Sequence, residues 1–203
     1  SKNKGAMHSC GHDAHMTIGL ALAEMLQARK DGLTGVIKLV FQPAEEGVRG
    51  GMAVAESGLL DDVDWFFGAH IGMGVPTGAI SPEAVGFLCT TKFDVAYKGR
   101  AAHAGGAPNE GRNALLAACS ASLALAGIAP HKDGPTRVNV GYMQAGTGRN
   151  VIPSEAVMKV ETRGSAENIN DYVYERAMEV VRGAAAMYGV EMSTSRMGAA
   201  VDA

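Results

Sequence analysis

Hydrophobic positions along the first third of the chain alternate between two kinds of pattern. In "HMTIGLALAEMLQARKDG" (15–32), Ile18, Leu22, Met25 and Leu26 share one face of a 3.6-residue repeat and Gly32 closes the run. That spacing predicts an amphipathic helix. "TGVIKLVFQP" (34–43) is instead a continuous apolar run ended by Pro43, the signature of a strand buried on both faces. A short helix with a glycine-rich entry is predicted at "RGGMAVAESGLLDD" (49–62), and a second buried strand at "VDWFFGAHIG" (63–72). Helix, strand, helix, strand in this order predicts a parallel sheet with right-handed crossovers.

The pattern changes near residue 89. "TTKFDVAYKG" (90–99) alternates Lys92 and Asp94 with Phe93 and Val95, as a half-exposed strand does. A helix is expected at about 110–128, strands at about 136–145 and 155–163, a helix at about 167–188, and a last strand at "GVEMSTSR". The order β-α-β-β-α-β is ferredoxin-like. The fold class expected is therefore α/β, as two domains: residues 1–88, part of an α/β catalytic domain, and residues 89–203, a ferredoxin-like domain.

Composition changes this picture little. The 203 residues are 47% hydrophobic and 19% charged, as in ordinary globular proteins. A formal charge of −3 gives no electrostatic reason to expect nucleic acid or an anionic membrane as partner. "LLAACSASLALAGIA" (115–129) is too short and too interrupted by serine to span a bilayer, and reads as a buried helix. No signal peptide is visible, and the three cysteines are widely spaced, so a cytoplasmic location is expected. The chain opens at "SKNKGAM" without an initiator Met, directly before its most informative motif, and is expected to be a fragment.

That motif is "MHSCGHDAHM" (7–16), which holds three of the six histidines. Cys10 and His12 are two apart, so an extended segment points both to one side, just ahead of a helix N-terminus that favours thiolate. Alone, the pair is a weak signal, since a cysteine near a histidine in a loop is more often structural than metal-binding. "FQPAEEG" (41–47) adds adjacent carboxylates, Glu45 and Glu46, in the loop leaving a predicted strand, and His70 ends the next one. Each alone has an ordinary reading, as an acidic turn and a hydrogen-bonded strand-end histidine. Together, at the strand ends where α/β proteins build sites, Cys10, His12, Glu46 and His70 form a mixed S/N/O set suited to Zn²⁺ or Mn²⁺. Glu45 is the spare carboxylate, placed to act as general base.

"MHSCGHDAH", "FQPAEEG" and "GAHIG", in this order and spacing, resemble the dinuclear metallopeptidases of the aminoacylase and carboxypeptidase G family. The branch with the closest likeness holds hippurate hydrolase and the indoleacetyl-amino-acid hydrolases. "TTKFD", "AAHAG", "NALLAA", "RVNVG", "MQAGTGRNVIP" and "KVETRG" are similar to aminobenzoyl-glutamate hydrolases within it, and the likeness covers nearly the whole chain. The resemblance implies two divalent metal ions (Mn²⁺ or Zn²⁺), with Cys10 near both and His12, Glu46 and His70 as further ligands. It makes Glu45 the base that activates a metal-bound water. His15 stands behind the ligands, and Asp13 orients a ligand histidine. The family's ferredoxin-like domain is a lid that pairs with a second lid to form a homodimer, and its histidine, here His103 in "AAHAGG", reaches the partner's active site. Asn150 in "GRNVIP" matches a substrate-contacting asparagine. Arg149 reads equally as a partner for a substrate carboxylate and as an exposed turn charge.

The family completes its site with a histidine from beyond the lid and an aspartate from N-terminal strands, and neither matches a residue here. The expected activity is hydrolysis of a small-molecule N-acyl or N-aroyl amino acid, aminobenzoyl-glutamate among them, with a second, related subunit left open as a partner. The fragment alone is expected to be inactive. Two other readings stay open: a cysteine hydrolase with Cys10 as nucleophile, and a non-catalytic dimerisation module.

Overall fold

A helix begins where the opening motif ends because Gly11 turns the chain. Gly11 is left-handed (φ 79, ψ 24) and caps helix α1 (His12–Ala28). Its carbonyl accepts from the backbone N–H groups of Ala14 and His15 at 3.0 and 3.1 Å. The computed structural model describes residues 2–47, 50–72, 76–81 and 87–200. The chain divides into two compact units, one of residues 1–45 and 50–84 and the other of residues 46–49 and 85–203.

In the first unit, α1 is followed by a short 3-10 turn (Lys30–Gly32), another at Glu45–Gly47 that leads out of the unit, and helix α2 (Gly50–Glu56). The parallel sheet expected here is not formed among the described residues: neither 34–43 nor 63–72 has a ladder partner. Their apolar side chains are open to solvent, Val36 at 85%, Trp65 at 81% and Phe67 at 87%. The face of α1 expected to be buried is also exposed at Ile18, Leu22 and Met25. The physical reason is that a continuous apolar run records a tendency to be covered on both faces, and says nothing of which segment covers it. Among the described residues nothing in this unit supplies a neighbouring strand, and a lone strand cannot pair its own backbone.

The second unit is built around an antiparallel sheet of β1 (Cys89–Lys98), β2 (Thr136–Ala145), β3 (Glu155–Gly164) and β4 (Glu191–Ala200), in the order β2-β3-β1-β4. Helices α3 (Ala114–Ala126) and α4 (Glu167–Tyr188) complete a β-α-β-β-α-β sequence of elements. Period-two alternation puts Phe93, Val95 and Tyr97 of β1 opposite Val160, Met158 and Ala156 of β3, all buried. Small residues of α3 (Ala114, Ala117, Ala118, Ala121) and Ala177, Met178, Val181 and Ala184 of α4 close over them. Asn113 caps α3 by accepting from the Leu116 N–H at 3.1 Å, and left-handed Gly189 (φ 61) ends α4. Tyr97 donates its hydroxyl to the Val181 carbonyl at 3.0 Å, and burial pushes its ionisation up to about 12. Asn170 donates to Thr91 Oγ1 at 2.9 Å beneath the same sheet.

Candidate metal and substrate site

In the first unit, Cys10 and His12 flank the left-handed Gly11, so the loop brings both side chains to the start of α1. His70 arrives from the extended segment 63–72. The donor atoms of Cys10, His12 and His70 all lie within 4.8 Å of one another, and Cys10 Sγ is 3.3 Å from His70 Nε2. Glu45 Oε2 lies 3.2 Å from His12 Nε2. Four residues separated by up to 60 positions therefore converge. Glu46 follows Glu45 in the same 3-10 turn and is exposed. Its backbone carbonyl accepts from Lys92 Nζ at 3.0 Å within the second unit.

Ile71, an apolar residue with no chemistry of its own to single it out, holds the orientation of two imidazoles. Its N–H donates to His15 Nε2 at 3.0 Å. Its carbonyl accepts from His70 Nδ1. A ring nitrogen hydrogen-bonded to a carbonyl must carry the proton, so in its neutral form the His70 ring turns an unprotonated Nε2 towards Cys10. The rings of His15 and His70 meet edge-to-face with centroids 4.2 Å apart. His15 is held below the usual histidine range, first by desolvation and then by the neighbouring His70 and His12 imidazoles, with Glu45 and Asp13 acting in the opposite direction. Asp13 sits exposed on the first turn of α1. The bonds that orient His15 and His70 run to Ile71. The Ile71 side chain lies over Gly11 so closely that a Cβ there would meet its Cδ1 at 2.2 Å. Glycine is favoured at this turn by its left-handed conformation, and any side chain there would have to displace that of Ile71.

In the second unit, a single antiparallel bridge joins His103 to Val151. Ala104 N–H donates to the Asn150 carbonyl and Ile152 N–H to the Ala102 carbonyl, each at 2.9 Å. His103, Arg149 and Asn150, which lie 46 to 47 positions apart, thus sit on two segments clipped together, all three exposed. His103 Nδ1 accepts from the backbone N–H groups of Gly105 and Gly106, at 3.2 and 2.9 Å.

The model of peptidase family M20/M25/M40 matches residues 1–203. The chain belongs to this family. It is 60% identical over 200 residues to the indole-3-acetyl-aspartic acid hydrolase of Enterobacter agglomerans, covering 98% of this chain and 46% of that protein. It is 57% identical over 200 residues to one of the subunits of the p-aminobenzoyl-glutamate hydrolase of Escherichia coli, again covering 98% of this chain and 46% of that one. Among solved structures, an aminobenzoyl-glutamate utilization protein from Klebsiella pneumoniae superposes with a TM-score of 0.81 at 56% identity, over 92% of this chain and 48% of that chain. The chain spans about half the length of the curated relatives it matches. M20 peptidases are in general metal-dependent.

The donor atoms of this M20 chain fit a divalent ion. A thiolate sulfur and an imidazole nitrogen sharing a tetrahedral ion stand about 3.6 Å apart, close to the 3.3 Å between Cys10 and His70. The Nδ1–H to carbonyl bond of His70 is also the usual support of a metal-binding histidine, fixing the ring and raising its basicity. Among the described residues, no helix is long and apolar enough to cross a membrane.

Proposed function

We propose that this chain supplies the metal-binding segments and the substrate-clasping unit of an M20 amidohydrolase. The observation that carries the reading is the convergence of Cys10, His12 and His70 within 4.8 Å, with Glu45 against His12. Cys10, His12 and His70 would hold divalent metal, with Glu46 as a further carboxylate ligand and a pair of Mn²⁺ or Zn²⁺ ions as the full complement. A metal bound there supplies Lewis acidity to the amide carbonyl and acidity to water. Glu45 takes the proton of the attacking water and returns it to the leaving amine. His15 and Ile71 keep the ligand rings in place.

The substrate class is the amide of an aromatic acyl group with an acidic amino acid. The names of the two relatives, indole-3-acetyl-aspartic acid hydrolase and p-aminobenzoyl-glutamate hydrolase, share that chemistry. Arg149 pairs with a substrate carboxylate and Asn150 contacts the amide, both on the segment clipped to His103. Residues 1–88 act as part of the catalytic domain. Residues 89–203 act as a lid through which two copies pair, so that His103 of one copy serves the other. Because the Escherichia coli relative is named as one subunit of its hydrolase, a second kind of subunit belongs to the proposal as well. The exposed apolar runs 34–43 and 63–72 are strands that pair with segments of a longer parent protein.

The test is hydrolysis of p-aminobenzoyl-glutamate and indole-3-acetyl-aspartate by the full-length protein carrying this chain. Chelation should abolish turnover and Mn²⁺ or Zn²⁺ should restore it, while substrates with a neutral amino acid turn over more slowly. Activity that survives chelation but is lost at once to iodoacetamide would favour Cys10 as a nucleophile and overturn the reading.

A further inference from the structure

We infer that the backbone of Gly105 and Gly106 is a positioning device for His103. It holds the neutral imidazole as the tautomer protonated on Nε2, with that N–H presented to a substrate oxygen gaining negative charge. The inference rests on the proposed placement of His103 at the substrate.

Two N–H groups converge on Nδ1, Gly106 at 2.9 Å and Gly105 at 3.2 Å. A nitrogen that accepts from both carries no proton of its own, so the neutral ring must keep its proton on Nε2. The turn bearing these donors is itself closed, since Ala107 N–H donates to the His103 carbonyl at 2.9 Å. The bridge to Val151 fixes the backbone from the other side. An exposed imidazole otherwise samples rotamers and both tautomers, and a donor must be aimed before the charge develops to act on it.

The glycines do this through their N–H groups and not through their smallness. Neither has a φ in the left-handed range. A Cβ on Gly106 would come no closer than 3.4 Å to Nδ1, and one on Gly105 no closer than 3.6 Å to Cε1. Gly106→Ala should therefore be tolerated, with its N–H kept. Gly106→Pro removes the donor.

The experiment is long-range ¹H–¹⁵N correlation on this chain with ¹⁵N-labelled histidine, at a pH where His103 is neutral, with His103→Ala to assign its signals. Wild type and Gly106→Ala should both show His103 with a protonated Nε2 and an unprotonated Nδ1. Gly106→Pro should shift towards a mixture. A protonated Nδ1 in the wild type would overturn the proposal by itself, whether or not Gly106→Pro folds. So would a Gly106→Pro spectrum that keeps the wild-type pattern. In the full-length protein, Gly106→Pro should lower kcat about fivefold to tenfold, the worth of one backbone hydrogen bond, with KM little changed and Gly106→Ala near wild type. His103→Gln, which keeps an N–H close to the Nε2 position, should retain more activity than His103→Ala. If the tautomer is as stated but His103→Ala leaves kcat unchanged, the oxyanion role is overturned and the placement of His103 at the substrate fails with it, separately from the tautomer.

Discussion

Gly11→Ala tests how the Cys10–His12 loop is held. Gly11 sits at φ 79 and ψ 24, where an L-residue costs about 1–2 kcal/mol. The new Cβ would lie 2.2 Å from Ile71 Cδ1 and 2.8 Å from its Cγ1, far inside the roughly 3.5–4.0 Å of a carbon contact. The atoms struck are the end of a flexible side chain, so rotation off its preferred well can relieve the clash for about 0.5–1.5 kcal/mol. The sum is roughly 2–3 kcal/mol against folding of this loop. Ile71 is also the residue whose backbone holds His15 and His70, and disturbing such supports lowers metal affinity about 10–100-fold. Zinc affinity by competition with a chromophoric chelator, read beside thermal unfolding, measures both effects. Adding Ile71→Ala to Gly11→Ala removes the clash and leaves the backbone strain, so it should recover part of the stability only. Unchanged zinc affinity and unchanged unfolding in Gly11→Ala would refute the interlock.

Three other outcomes are expected. In the full-length protein Glu45→Gln should abolish turnover with metal retained, whereas Glu46→Gln should lower metal content too; two variants that keep both metal and rate would make the loop a plain acidic turn. His103→Ala should lower kcat roughly 10²–10³-fold, the usual loss for one oxyanion donor, and mixing it with Glu45→Gln should restore activity on subunit exchange; no recovery despite exchange would place His103 outside its partner's site. Tyr97, raised from 10.0 to about 12 by burial, should make stability fall as pH climbs through that interval, because the unfolded chain sheds the phenolic proton first, by roughly 2–3 kcal/mol in all. Tyr97→Phe should cost about 1 kcal/mol at neutral pH for the lost bond to Val181 and flatten the alkaline fall in urea unfolding; equal slopes in the two proteins would contradict this.

The second unit is the more legible half. Residues 167–188 carry a sustained helical repeat ended by Gly189, and α4 occupies that span. The expected helix at 110–128 is shorter in the structure, because the 3-10 turn at Pro108–Glu110 and the Asn113 cap delay its start. In the first unit the hydrophobic runs mark surface that must be covered, but periodicity cannot say whether the covering segment is present. For the site, the chemically distinctive side chains stand out by type: cysteine, histidines and paired glutamates. What holds them does not. Ile71 works through its peptide group, and any residue type carries one. Gly11 leaves a faint trace, a glycine set between two candidate ligands. Gly105 and Gly106 read only as a turn, since a backbone N–H aimed at an imidazole has no signature in residue identity.

Cys10, His12 and His70 are proposed to hold a divalent metal ion together. Titration of this chain with Co²⁺ tests this directly, because a cysteine thiolate on cobalt gives a charge-transfer absorption that exposed carboxylates and histidines do not. Cys119 is exposed on α3 and is the competing thiol, whereas Cys89 is buried in β1. The band should appear in the wild-type chain and in Cys119→Ser, and should vanish in Cys10→Ser and weaken strongly in His70→Ala. A band that persists in Cys10→Ser, or no band in the wild type at saturating Co²⁺, would contradict the metal centre.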